Sequence, residues 1–488
     1  MSTFHSTVSR RTFMKALGLS AAGIGAVGAA APVFHDLDEL MSSEGSPKKP
    51  WWVKTADKPT VEIDWDVTKR YDRRLNFLNA NVKANYYPKE QAEATATGAE
   101  FKKANMAANA PGYTNKTRAF SDAFSRMMGT MTASTYSFTG ITGTTITQTP
   151  AELGVPKWEG TPEENSRLLA AAARIYGAIF TGFTELDNAW RNKLVISHTI
   201  GTAGRIVYED VDLGYSVKDP TGEMAEKWVI PTKPMWGVGF ASAESLFAQK
   251  TGPSLTPGNH SFGRTAGRST YIGLFNLLRT LGYQFLGTPF MTQNLFNSSA
   301  LHIMTGNAEA SRQNNFSLTP IGGPRFQSGE NGVTDLPLAP TKPIDAGMFR
   351  FCHSCAKCAD SCPPQAISLD KKPSWEIPLL DGKTDTTHNA GVKSFWLNWA
   401  SCTIGRSQLA GRCEICWAVC PFNEGRDAVV HDVIKAVTAN TGIFGGFFTD
   451  MSKAFGYGVR EGEAKEAWWN EPQSVFGVES EIFAKYER

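Results

Sequence analysis

Phe351-Cys352-His353-Ser354-Cys355-Ala356-Lys357-Cys358-Ala359-Asp360-Ser361-Cys362-Pro363, with Cys402 and the later Cys413-Glu414-Ile415-Cys416-Trp417-Ala418-Val419-Cys420-Pro421, holds all eight cysteines of a 488-residue chain. The first block carries the gaps and terminal proline of the bacterial iron–sulfur run. The second repeats its ending behind Cys402. Two-residue gaps let a tight turn aim consecutive sulfurs at one centre, and the three-residue gap sends the last sulfur to the other cluster. The spacing therefore assigns Cys352, Cys355, Cys358 and Cys420 to one [4Fe–4S] centre, and Cys362, Cys402, Cys413 and Cys416 to a second. Disulfides in an exported protein or structural zinc are the alternatives. Neither accounts for two Cys-x3-Cys-Pro endings.

The chain begins with Ser9-Arg10-Arg11-Thr12-Phe13-Met14-Lys15 and an uncharged Ala/Gly-rich run from Ala16 to Val33. This pattern predicts a twin-arginine export signal over residues 1–33, cleaved near Ala29-Ala30-Ala31. The run is too weakly hydrophobic for a transmembrane anchor, and no other segment is long and apolar enough to span a bilayer. Export of a folded protein suits cofactors inserted beforehand. With 49 basic and 47 acidic residues the formal net charge is +2, so composition does not point to nucleic acid.

Residues 34–160 are polar and rich in Thr, Ala and Asn, and predict long loops with a few short helices around a surface wrap or pocket rim. At Thr161-Pro162-Glu163-Glu164 a helix start appears, leading through Leu168, Leu169, Ala172, Ile175 and Tyr176 to Gly177. Strand-like Ala178–Phe183, Arg205–Tyr208 and Trp228–Ile230 follow. A second helix over Ser269–Leu281 presents Tyr271, Leu274, Leu277 and Leu278 before Gly282 and a strand at Tyr283–Leu286. Helices alternating with buried strands predict an α/β sandwich over 161–345. Pro-rich Leu336–Pro343 reads as the link to a cluster domain over 346–435. A glycine- and aromatic-rich tail, 436–488, with Gly442 to Phe448 and Trp468-Trp469, reads as a wrap or a lid.

Together the export signal, the Ala172–Ala178 helix-to-strand turn, Thr334-Asp335-Leu336-Pro337-Leu338 and the two cysteine blocks resemble the cobalamin-dependent reductive dehalogenases, respiratory chlorinated-ethene type. The resemblance implies an α/β (α+β) protein: a nitroreductase-like core binding a corrinoid, with a C-terminal ferredoxin-like domain holding two [4Fe–4S] clusters. It implies that a halogen on a small organohalide is replaced by hydrogen. It also implies a location at the outer face of the cytoplasmic membrane, with a small integral-membrane anchor protein and a respiratory electron donor as partners. In the family a Tyr supplies the proton beside a basic residue. Tyr271 and Arg325 match by position, with Arg312 competing for the cationic place and packing of Tyr271 against Leu274 and Leu278 as the plainer reading. An adjacent Arg is expected to lower the phenol's pKa. Two rivals differ in class: the related epoxyqueuosine-reducing enzyme, which an exported protein does not suit, and an electron-transfer subunit without corrinoid chemistry.

Overall fold

The computed structural model describes residues 49–50, 52–130, 135–142, 146–255, 261–314, 317–409, 413–423, 429–441 and 445–470. The export signal expected over 1–33 lies outside them, as do 442–444 and 471–488 of the tail. Where the sequence predicts long loops, the protein builds α1 (Pro88–Ala107) of 20 residues and α2 (Asn115–Thr130) of 16. Apolar periodicity does not reveal α1, because only Ala94 and Gly98 in it are buried. Those two small residues stand one turn apart, and they let another helix approach closely.

α3 (Pro162–Tyr176) starts and stops where expected. Thr161 and Glu164 form a reciprocal capping box, Pro162 opens the first turn, and Gly177 ends the helix at φ +121°. Leu169, Ala170 and Ala173 face the core, whereas Ile175, assigned to that face from sequence, is 82% exposed. β1 (Phe180–Glu185) follows, then β2 (Gly204–Glu209), β3 (Tyr215–Lys218), β4 (Glu226–Pro231) and β5 (Trp236–Ala243). Next come α4 (Ser261–Leu281), β6 (Phe285–Leu286), α5 (Ser298–Met304) and β7 (Phe326–Thr334).

An antiparallel sheet in the order β1-β5-β7-β6 forms the core. β2, β4 and β3 make a separate three-stranded sheet with β4 in the middle, parallel to β2 and antiparallel to β3. The two inner strands of the main sheet, β5 and β7, are absent from the sequence prediction. Glycines blank their alternation: a Cβ on Gly239 would stand 2.6 Å from Leu301 Cδ2. That position is held bare so that α5 can pack on the sheet. α3 and α4 cover the opposite face, burying Leu169, Phe183, Val238, Phe240, Tyr271, Leu274, Leu278 and Phe285 in one cluster.

The Pro-rich stretch is no free tether. Leu336 and Leu338 are buried, Ala339 N–H donates to Pro162 O, and Thr341 N–H donates to Phe183 O along β1. The cysteine segment contains α6 (Met348–Cys355), α7 (Lys357–Asp360), α8 (Trp399–Gln408) and α9 (Ile415–Ala418), followed by α10 (Val429–Asn440) and α11 (Gly445–Ala454). α1 packs against α8, and α11 against α6 with Phe448 in the hydrophobic cluster of Phe349 and Phe351. Trp469 meets Phe120 edge-on at 5.0 Å, so this part of the tail wraps onto α2. Among the described residues no helix is long and apolar enough to cross a membrane.

Candidate functional site

All eight cysteines are free thiols, which removes the disulfide reading. α6 carries Cys352 and Cys355; Ala356, at φ 47°, breaks it, and α7 restarts with Cys358. The second block repeats this device. Cys413 precedes Glu414, at φ 50°, and α9 restarts with Cys416. A left-handed residue directly after the first cysteine of each Cys-x2-Cys turn folds both sulfurs towards one side. For a non-glycine residue that conformation costs roughly 1–2 kcal/mol.

Cys352, Cys355, Cys358 and Cys420 line a single void. Burial, reinforced by Cys352, Cys355 and Cys420, pushes the Cys358 thiol well above its ordinary pKa. Burial raises Cys416 likewise, with Cys413, Cys358, Cys402 and Cys362 as its charged neighbours. Two quartets of thiols thus abut through Cys358 and Cys416. Thiols crowded in this way ionise only when a metal centre takes up the negative charge. Among the described residues no trio of His, Cys, Asp or Glu converges on a single-ion site. Four sulfurs around a void fit a cubane.

One loop of the core reaches both quartets. Arg312 is buried and donates from Nε to Cys352 O at 2.9 Å, from Nη1 to Ser368 O and Asp370 O at 2.7 and 2.8 Å, and from Nη2 to His353 O at 3.4 Å. Its guanidinium lies 4.0 Å from the Phe395 ring centroid. Gln313 Nε2 donates to Cys416 O. Glu309, at the root of the loop, accepts from Ala346 N–H and Met348 N–H at the start of α6 and from Thr60 Oγ1. Burial pushes its carboxyl up to about 7. Arg312 is thus placed beside the first quartet, not beside a phenol.

Tyr271 and Arg325 are both buried, at 1% exposure each. Tyr271 packs 5.1 Å from Phe285, and its Oη has no hydrogen-bond partner, so no guanidinium reaches it. Burial, then the neighbouring Tyr136, raises its pKa, opposite to the direction expected from an adjacent Arg. Arg325 stands one residue before Phe326, whose strand partner is Ala243. On α4 the stripe Arg264, Gly267, Tyr271, Leu274 shares one face. A Cβ on Gly267 would meet Glu330 Oε2 at 2.5 Å.

The outer end of that stripe opens on a cleft the sequence analysis does not foresee. Its cavity volume is about 380 Å³, within the roughly 300–1,000 Å³ of pockets for drug-sized ligands. The N-terminal segment supplies Tyr71, Arg73 and Phe77; the core supplies Lys193, Arg264 and Asn297; the cysteine segment supplies His388, Trp396, Trp399 and Arg406. Four cations line it and no carboxylate does. Arg73 is 8% exposed, with one long hydrogen bond, Nη1 to Asn294 O at 3.4 Å, and burial draws its pKa down to about 10. Phe77 and Trp399 stack at 3.7 Å. The same two rings pack with Cys358, Cys402 and Cys416, so one aromatic wall separates the cleft from the second quartet. Arg73 and Arg264 carry no motif. His198 does not line the cleft and approaches Asp72 and Glu223 at 3.6 and 3.3 Å.

Known proteins match this arrangement. Residues 48–338 match the family model of the reductive dehalogenase subunit, and residues 351–423 match the 4Fe-4S double cluster binding domain. A chloroethene reductive dehalogenase of Dehalococcoides mccartyi (strain VS) is 31% identical, over 98% of this chain and 99% of its own. A trichloroethene reductive dehalogenase of D. mccartyi strain ATCC BAA-2266 / KCTC 15142 / 195 is 29% identical over the same shares. A solved catabolic reductive dehalogenase superposes with a TM-score of 0.57 at 18% identity, covering 91% of this chain and 54% of its own. Another, whose structure is described for B12-dependent dehalogenation, gives 0.55 at 18% identity, with 87% and 51% covered. The chain spans about half the length of these solved structures, and the likeness to them is one of fold.

Proposed function

Since the chain belongs to the reductive dehalogenase family, we propose that it replaces a halogen by hydrogen on a chlorinated ethene, using cobalamin and two [4Fe–4S] clusters. The observation that carries this reading is the shared wall: Trp399 faces the cleft, and Cys402 on the same helix belongs to the second thiol quartet. Electrons leaving that quartet have one layer of aromatic side chains to cross. Cobalamin held in the cleft would supply low-valent cobalt chemistry for cleaving a carbon–halogen bond, and the two clusters would supply the electrons.

The residues present fit such a group. The cleft is walled by three parts of the chain, its walls are partly aromatic, and Arg73, Lys193, Arg264 and Arg406 offer cations to an anionic side group and to a departing halide. Tyr271 is the proton donor in this reading, two turns inward from Arg264 on the same face of α4. An unpartnered buried hydroxyl costs roughly 1–3 kcal/mol. Loss of packing alternatives does not explain why a Tyr rather than a Phe stands there, and a proton held at Oη does. Arg325 is the residue matched by position for the basic partner, although no guanidinium stands at hydrogen-bond distance from Oη.

The quartets act as separate ligand sets, Cys352, Cys355, Cys358 and Cys420 for one cluster and Cys362, Cys402, Cys413 and Cys416 for the other. Protein purified without oxygen should carry about eight irons and bind a corrinoid, and it should dechlorinate chlorinated ethenes given a low-potential reductant. Clusters without corrinoid binding would instead leave an electron-transfer subunit. Cys420→Ala and Cys358→Ala should abolish the same paramagnetic signal, and Cys362→Ala should abolish the other. Export by the twin-arginine route to the outer face of the cytoplasmic membrane, with an integral-membrane anchor protein and a respiratory donor as partners, completes the reading. Arg10-Arg11 supports it. Replacing both arginines with lysine should leave precursor in the cytoplasm; normal export of that variant would contradict the route.

A further inference from the structure

Arg312 is a buried cation with no carboxylate partner among the described residues. It is 1% exposed and spends its N–H groups on the backbone carbonyls of Cys352, His353, Ser368 and Asp370. It lines the same void as Cys352, Cys355, Cys358 and Cys420. Neutral carbonyls hold a guanidinium in place without cancelling its charge, and a desolvated cation left that way is expensive unless an anion stands near. Glu309, the closest carboxyl on its own loop, is occupied by α6 amides and Thr60.

We propose that Arg312 sets the reduction potential of the cluster held by Cys352, Cys355, Cys358 and Cys420. The inference rests on the two-cluster reading above. A cluster held by four thiolates is a net anion, and reduction adds one further negative charge. A fixed cation at its edge therefore stabilises the reduced state more than the oxidised one and raises the potential. The carbonyls and the Phe395 ring fix the direction of the guanidinium.

The test is a potentiometric titration of anaerobically purified holoprotein, read by paramagnetic resonance, for wild type, Arg312→Met, Arg312→Gln and Arg312→Lys. The neutral variants should keep about eight irons. One cluster in them should take up an electron at least tenfold less favourably, about 59 mV lower, with the other little changed. Arg312→Lys, which keeps the charge, should stay near wild type. Arg312→Gln retains an amide donor for the carbonyls and gives the reading if Arg312→Met loses iron. A neutral variant with full iron and wild-type potentials would overturn the proposal, as would a Lys variant shifted as far as Gln. Wild-type protein without iron would instead overturn the two-cluster reading itself.

Discussion

Gln313 donates from Nε2 to the backbone carbonyl of Cys416 at 2.7 Å, while its chain neighbour Arg312 donates to Cys352. Two consecutive residues of the core thereby fix one cysteine turn of each quartet. Gln313→Ala removes a bond worth about 1 kcal/mol and strands a buried carbonyl at a cost of roughly 1–3 kcal/mol. The variant should keep its iron as isolated but lose the second cluster to a chelator severalfold faster than wild type. Equal rates of bleaching would show that the bond does not hold Cys416.

Glu309 predicts a pH dependence. Burial raises its folded pKa to about 7, against about 4.3 in an unfolded chain. The folded protein therefore holds a proton that the unfolded chain has released, and stability is fully present below about 4.3 and lost as pH rises through about 7. The loss is on the order of 4 kcal/mol. Denaturation midpoints measured across that window should fall for wild type, and Glu309→Gln should flatten this part of the profile. Parallel profiles for the two proteins would count against the assignment.

The cluster domain was legible because metal ligation constrains spacing along the chain, and Cys352 to Pro363 shows that spacing directly. The caps of α3 were legible because Thr161, Pro162, Glu164 and Gly177 act within one or two turns. What stayed hidden depends on distant partners. β5 and β7 lose their alternation to glycines, of which Gly239 leaves room for Leu301 of α5 and Gly332 leaves room for Phe285 of β6. α1 is held by Ala94 and Gly98, whose smallness means nothing until α8 lies across them. The cleft assembles Arg73, Arg264 and Arg406 from three parts of the chain, and no local pattern links them. Tyr271 lies on a helix, as the apolar spacing predicts, but its raised pKa follows from burial that only the fold reveals.

Arg73 offers a test with two opposite signs. A guanidinium buried to 8% exposure with one long hydrogen bond destabilises the protein while nothing anionic fills the cleft. Arg73→Met should therefore raise the denaturation midpoint of corrinoid-free protein. It should also lower corrinoid retention after gel filtration severalfold, with iron content unchanged. A variant that retains corrinoid like wild type would remove Arg73 from the binding site.

Tyr271→Phe separates proton donor from packing residue. The ring keeps its place against Phe285 and Leu274, so fold, iron and corrinoid content should not change. Because Oη has no partner to lose, the substitution should stabilise the protein slightly or leave it unaltered. Dechlorination should nevertheless fall on the order of a hundredfold, the scale for losing a positioned acid. Burial holds the phenol protonated well past neutrality, so wild-type activity should show no falling limb from Tyr271 between pH 7 and pH 9, a window of about 2 units below a free phenol's value near 10. Arg325→Ala should depress activity without releasing corrinoid. A Tyr271→Phe protein that dechlorinates at the wild-type rate would return Tyr271 to the core, and the proton would then have to come from the cleft itself, where Tyr71 lies beside Arg73 with its hydroxyl donated to Thr387 O at 2.8 Å.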